Sequence, residues 1–162
     1  MLKKLFLLLF LINSVFLHCQ NELVLDSLFS EKKVTSYLVY YKDVYKNETL
    51  KTIQQKEFSF YSNKTFPGEQ QQKIWFKLNI KKSKKEQDDV IFLINTVSIN
   101  KLVVYQDSDS GYNKLFEFQK NGKKDITIPI NTLENSNFIF EVSFGKSIYF
   151  PITIENTQSL KK

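Results

Sequence analysis

The chain has 162 residues, 42% hydrophobic and 15% aromatic, with a formal net charge of +6. That length suits one domain, and the apolar content is enough for a packed core and too high for a disordered tail. All 23 basic residues are lysine, and neither arginine nor alanine occurs. Such a vocabulary is what an AT-rich genome encodes, so part of the charge is codon usage. Sequence-specific nucleic-acid readers rely on the bidentate arginine fork, so its absence argues against a nucleic-acid partner.

The N-terminus reads as a targeting segment. "MLKK" is basic, and "LFLLLFLINSVFL" is an apolar run of signal-peptide length, too short to span a bilayer. The expected division is a signal peptide over 1–20 and one exported domain over 21–162 of the periplasm or outer surface. Cys19 follows the run directly, so membrane association is expected only if Cys19 is lipidated; His18 is a poor residue before such a cysteine. His18 and Cys19 are the only examples of their types. The domain after them therefore holds no disulfide, no Cys/His metal site and no histidine general base.

Residues 22–33, "ELVLDSLFSEKK", read as a short helix or a linker. "VTSYLVYYKDVY" (34–45) is rich in β-branched and aromatic residues and reads as a strand. A short helix is expected over about 48–56, with Asn47 as N-cap and Leu50 and Ile53 one turn apart. "FSFYS" reads as extended, and "NKTFPGEQQQ" as a loop turning at Pro67-Gly68. From Lys73 onward strands follow one another at short intervals. In "KIWFKLNI" the residues Ile74, Phe76, Leu78 and Ile80 share one parity and Trp75 sits among the polar ones. Trp75 is expected to plug a gap between sheet and helix. "KKSKKEQDD" is a charged hairpin loop, and "VIFLI" (90–94) an apolar run fitting a strand buried on both faces. "INKLVVYQD", the turn "SDSG", "YNKLFEFQ" and the turn "KNGKK" follow. "DITIPI", "NFIFEVSF" and "SIYFPITIE" each alternate; Pro129 and Pro151 fall inside strand patterns, which points to edge strands or bulges. The fold class is all-β: an antiparallel β-sandwich or jelly roll of eight or nine strands with one inserted helix.

Catalytic chemistry has little to stand on. No glycine-rich phosphate loop occurs. The carboxylate pairs Asp88/Asp89, Asp107/Asp109 and Glu117/Glu141 are weighed against the two-carboxyl requirement of glycoside hydrolysis. Asp107, Ser108 and Asp109 lack a calcium-loop pattern. The chain is read as a non-enzyme without metal or cofactor. Binding candidates are Tyr149, Glu117 and Glu141 on polar strand parities, Tyr112 opening a strand after a turn, and Tyr105, which follows Val103 on its strand and could equally be core. An aromatic on a polar face can stack on a sugar or an apolar ligand.

The order of "YYKDVYKNETLKTIQQKEF", "IWFKLNI", "VIFLINTVSINKLVVYQ" and "SIYFPITIE" resembles the type 2 extracellular domain of bacterial seven-transmembrane receptors with diverse intracellular signalling modules. The resemblance runs from about Tyr37 to Ile154. Two departures are the missing arginine in "NGKKDITIP" and Asn100 where aspartate is usual. The resemblance implies a jelly-roll sensor domain for a sugar or small metabolite, related to a membrane signalling protein, whose transmembrane part is not expected in this polypeptide. The alternative function is a structural or interaction protein of the cell envelope, a periplasmic subunit or surface lipoprotein.

Overall fold

The computed structural model describes residues 22–26, 29–62, 66–67, 72–82, 90–120, 125–131, 135–145 and 147–157. The signal-peptide reading, Cys19, and the loops "KKSKKEQDD" and "KNGKK" (apart from Lys81, Lys82 and Lys120) lie outside the described residues.

Thirteen strands are described. In chain order these are β1 (Leu23–Leu25), β2 (Glu31–Lys33), β3 (Val39–Asp43), β4 (Ser59–Phe60), β5 (Phe66–Pro67), β6 (Lys73–Lys82), β7 (Val90–Asn95), β8 (Ile99–Ser108), β9 (Gly111–Gln119), β10 (Asp125–Ile130), β11 (Asn135–Phe144), β12 (Ser147–Ile148) and β13 (Ile152–Asn156). One sheet has the order β4-β3-β6-β11-β8-β9, with β1 pairing parallel to the C-terminal part of β6. The facing sheet has the order β10-β7-β13-β2, and β5 and β12 form a two-stranded ribbon. The other pairings are antiparallel, which gives the expected sandwich.

Period-two alternation fills the space between the sheets. Ile74, Phe76, Leu78 and Ile80 of β6 and Phe138, Phe140, Val142 and Phe144 of β11 are all buried in one core. The facing sheet supplies Phe92, Ile94, Ile126, Ile128, Ile152 and Ile154. Aromatic rings join the two layers. Phe92 packs edge-on against Phe138 and Phe140 at 5.0 and 5.5 Å, and Phe150 stacks on Phe76 at 4.8 Å. Each such pair contributes about 0.5–1.5 kcal/mol beyond its buried area.

Several expectations change. Thirteen strands are described where eight or nine were expected, because five of them, β1, β2, β4, β5 and β12, are pairings of only two or three residues. Residues 34–45 are not one strand, since Thr35–Tyr37 form a 3-10 turn ahead of β3, and Pro67 lies in β5 and not in a loop turn. The described residues of 22–33 form no helix: Leu23 and Leu25 are buried beside β6 and residues 31–33 pair with β13, so sheet edges capture these parts of the segment. The single described α-helix, α1, is only Leu50–Ile53, and its N-cap is Thr49 rather than Asn47. Asp43 explains the shift, because its carboxylate accepts from the backbone N–H of Asn47 and Glu48, leaving Thr49 and Thr52 to cap each other. Strand β7 is buried on one face only, with Ile91 and Leu93 half-buried on the other. Pro129 does lie on an edge strand, whereas Pro151 sits in the break between β12 and β13, where its carbonyl accepts from Asn95.

The opposite face of the larger sheet carries a second, smaller core. Trp75 is 1% exposed and packs with Ile53 of α1 and Ile139 of β11, ringed by Tyr41, Leu50, Phe58, Tyr105 and Tyr112. Trp75 is therefore the plug between sheet and helix. Trp75→Ala should lower unfolding free energy by about 3–5 kcal/mol, as large aromatic deletions in cores do. Urea denaturation measures this. A loss below about 1 kcal/mol would show that the second core does not hold α1 on the sheet.

Candidate functional site

The outer face of the larger sheet places four of the five candidate residues in one region. Register aligns Glu141 of β11, Val103 of β8 and Glu117 of β9 in one row. The next row aligns Ile139, Tyr105 and Lys114. Tyr112 lies opposite Asp107, one row further along. Glu117 and Lys114 face the same way although three residues apart, because a bulge at Leu115 shifts the register of β9. The fifth candidate, Tyr149, lies elsewhere: it is 45% exposed in the segment between β12 and β13.

An ionic chain crosses this face. Lys73 lies 3.6 Å from Asp43 and 3.2 Å from Glu141, and its Nζ donates to the carbonyl of Glu48 at 2.8 Å. It also sits over the Trp75 ring at 4.7 Å. Trp75 Nε1 donates to Asp43 Oδ2 at 3.4 Å, so the buried Asp43 carboxylate is met by three N–H groups and one ammonium. Tyr105 donates its hydroxyl to Glu141 Oε2 at 3.3 Å. Burial, then the neighbouring Glu141 carboxylate, pushes the Tyr105 phenol up to about 12. Burial raises the Tyr112 phenol in the same direction, helped by Asp107. On the rim, Lys114 Nζ lies 2.8 Å from Glu117 Oε2 and Lys101 Nζ 3.8 Å from its other oxygen. The hydrogen bond from Lys114 leads in holding the Glu117 carboxyl below its ordinary range.

A glycosidase general acid needs a carboxyl whose pKa is raised, and the Lys114 bond moves that of Glu117 the other way. Among the described residues no group of three or more His, Cys, Asp or Glu residues is placed to hold a metal. What the face carries is carboxylates, ammonium groups and phenol hydroxyls on paired strands. The sequence expectation named Tyr105, Tyr112, Glu117 and Glu141, which this face brings together, but not Asp43 and Lys73, which are tied to Glu141 here. Their signal was weak, since Asp43 closes an aromatic strand and Lys73 opens the tryptophan strand.

Beside this face, the β8–β9 hairpin and Asn131 enclose a cleft of about 320 Å³. Gln106 Nε2 donates to the carbonyl of Asn131, which ties the larger sheet to the end of β10. Asp107 is held by Asn137, whose backbone N–H reaches Oδ1 at 2.8 Å and whose side-chain amide reaches Oδ2 at 2.6 Å.

Alkaline titration tests this geometry. A phenol with a raised folded-state pKa stabilises the fold fully below its unfolded value near 10, and that stability is lost as pH rises through 10 to about 12. Phenolate absorbance should therefore show a late class of tyrosines, and Tyr105→Phe should remove its latest member. An unchanged late phase in that variant would contradict the Tyr105–Glu141 arrangement.

The sequence model of the 7TMR-DISM extracellular 2 family matches residues 35–161. None of the curated proteins matches. Among solved structures, β-glucuronidase from Ruminococcus gnavus in complex with an N1-substituted uronic isofagomine superposes with a TM-score of 0.54 at 7% identity. The same enzyme with D-glucuronic acid gives 0.53 at 7% identity. Each superposition covers 78% of this chain and 29% of the enzyme chain, so the likeness is one of fold to part of a longer protein. TmCBM61 in complex with β-1,4-galactotriose gives only 0.34 at 14% identity over 80% of this chain and 86% of that one, too loose a superposition to carry an argument. No helix among the described residues is long and apolar enough to cross a membrane. With the match running from Thr35 through β13, the chain belongs to the 7TMR-DISM extracellular 2 family.

Proposed function

We propose that this protein is an exported, non-catalytic ligand-binding domain of the sensor type, which takes a carbohydrate or small metabolite. Membership of the extracellular-domain family over residues 35–161 carries the reading. The outer face supports it in kind, because Glu141, Tyr105, Lys114 and Glu117 stand in adjacent rows on paired strands. Hydroxyl-rich ligands are held by such side chains: carboxylates and ammonium groups take the hydroxyls, and half-buried tyrosines meet the C–H faces. The proposed contacts are Tyr105, Tyr112, Glu117 and Glu141, with Tyr149 outside the set. The partners are the ligand and, through the family, a membrane signalling protein.

A ligand that binds only the folded state raises its stability by mass action, by about 2.7 kcal/mol at a hundredfold excess over Kd. A thermal-shift screen of saccharides and metabolites against the purified protein should therefore return at least one compound that raises Tm. Glu117→Gln should abolish that rise while leaving the unliganded Tm nearly unchanged, because Glu117 is exposed. A screen without any upward shift would overturn the reading.

A further inference from the structure

One cation of the outer face stands apart from the ionic chain. Lys77 shares the parity of Trp75 on β6 and lies opposite Ile139 of β11, which in turn lies opposite Tyr105 of β8. Lys77 and Tyr105 thus flank Ile139 in one row, about 10 Å apart at the backbone, two strand spacings. Ile139 is fully buried, and Phe58, Tyr105 and Tyr112 pack against the small core it belongs to. The surface above the row is therefore made by these rings and by the Lys77 side chain.

The other lysines on this face are engaged by carboxylates: Lys73 by Asp43 and Glu141, Lys81 by Glu22, and Lys101 and Lys114 by Glu117. Lys77 is the exception. Its ammonium sits 4.0 Å from the centroid of the Phe58 ring, and that ring is its one partner among the described residues. Half-buried, it loses hydration without gaining a counter-charge, and burial pushes its pKa below the ordinary lysine value. The ring covers one side of the ammonium and leaves N–H donors on the other. The two nearby acids are already neutralised, Glu141 by Lys73 and the Tyr105 hydroxyl, Glu117 by Lys114 and Lys101. Because Tyr105 gives its proton to Glu141, its hydroxyl oxygen is left as an acceptor.

We propose that Lys77 anchors an anionic group of the ligand, so that the outer face selects a hydroxylated small molecule bearing a carboxylate or phosphate over a neutral one. The assignment rests on the ligand-binding reading above and adds to it a residue and a charge preference. The anion meets Lys77 from the side away from Phe58, supplying the counter-charge that the fold does not. A ligand hydroxyl donates to Tyr105 in the same row, and the half-buried rings beside them meet the C–H groups.

Calorimetric titration of the purified protein with glucose, glucuronate and glycerol phosphate, at one pH and ionic strength, tests this. At least one of the two anions should bind about tenfold more tightly than glucose, which is what one charge-assisted bond contributes. A preference for glucuronate alone identifies the anion as a carboxylate, and for glycerol phosphate alone as a phosphate. Lys77→Met keeps an apolar stem over Phe58 and removes the charge; it should abolish the preference while Tm stays the same or rises. Lys77→Arg keeps the cation and should retain the preference. Glucose binding as tightly as both anions, or a preference that survives in Lys77→Met, would overturn the assignment and leave the ligand-binding reading standing. So would a protein that binds neither anion while a neutral or cationic compound raises its Tm. Failure of every compound would overturn both.

Discussion

Strands β6 and β11 pair along nine residues at the centre of a sheet that is covered on both sides. One parity of each strand enters the aromatic core between the sheets, and the other carries Trp75 and Ile139 into the second core under α1. A strand in that position cannot slip by one residue without driving lysines into the sandwich and phenylalanines into water. Its register is therefore fixed by burial on two fronts, and the rest of the molecule is placed relative to it. Strand β3 joins one edge, and its last residue, Asp43, reaches both the cap region of α1 and the indole N–H of Trp75. Strand β8 joins the other edge and brings β9 with it.

The polar side chains of the outer face inherit that rigidity. Lys73, its side chain only 15% exposed, lies between two carboxylates and a tryptophan ring, which offsets the cost of burying its charge. Replacing it would leave Asp43, almost fully buried, with only neutral donors. By contrast Lys101, Lys114 and Glu117 lie on the solvated rim, where ion pairs add little stability. The face is thus graded, from structural charges near α1 to available ones near β9. Of the proposed ligand contacts, Glu117 and Tyr112 lie at the available end and Glu141 at the structural one.

Most of the strands are visible in the sequence because each buries one face against an apolar layer, so alternation survives. Strand β11, with Phe138, Phe140, Val142 and Phe144 on one parity, is the plainest case, and Trp75 can be read as a plug because it breaks the polar parity of β6. Strand β1 is not visible: a three-residue parallel pairing leaves no period to detect, and "LVLDSLF" has helical spacing as well. The cap of α1 is misread because Asp43, four residues before Asn47, takes over the job that spacing assigns to Asn47 itself. The candidate site is half legible. Polar parity singles out Glu117, Glu141 and Tyr149, and Tyr149 falls off this face; that Glu117 shares a face with Tyr112 and Lys114 depends on the bulge at Leu115, and the contact of Gln106 with Asn131 on a sheet-to-sheet approach, neither of which a local pattern encodes.

The proposed ligand contacts Tyr105, Tyr112, Glu117 and Glu141 share the outer face of the larger sheet. Backbone amide shifts recorded by NMR during titration with a compound that raises Tm test that placement most directly. Perturbations should concentrate around Tyr105, Tyr112, Glu117 and Glu141, with β2 and β13 silent. Perturbations centred on the facing sheet, or on Tyr149 and its neighbours, would contradict it.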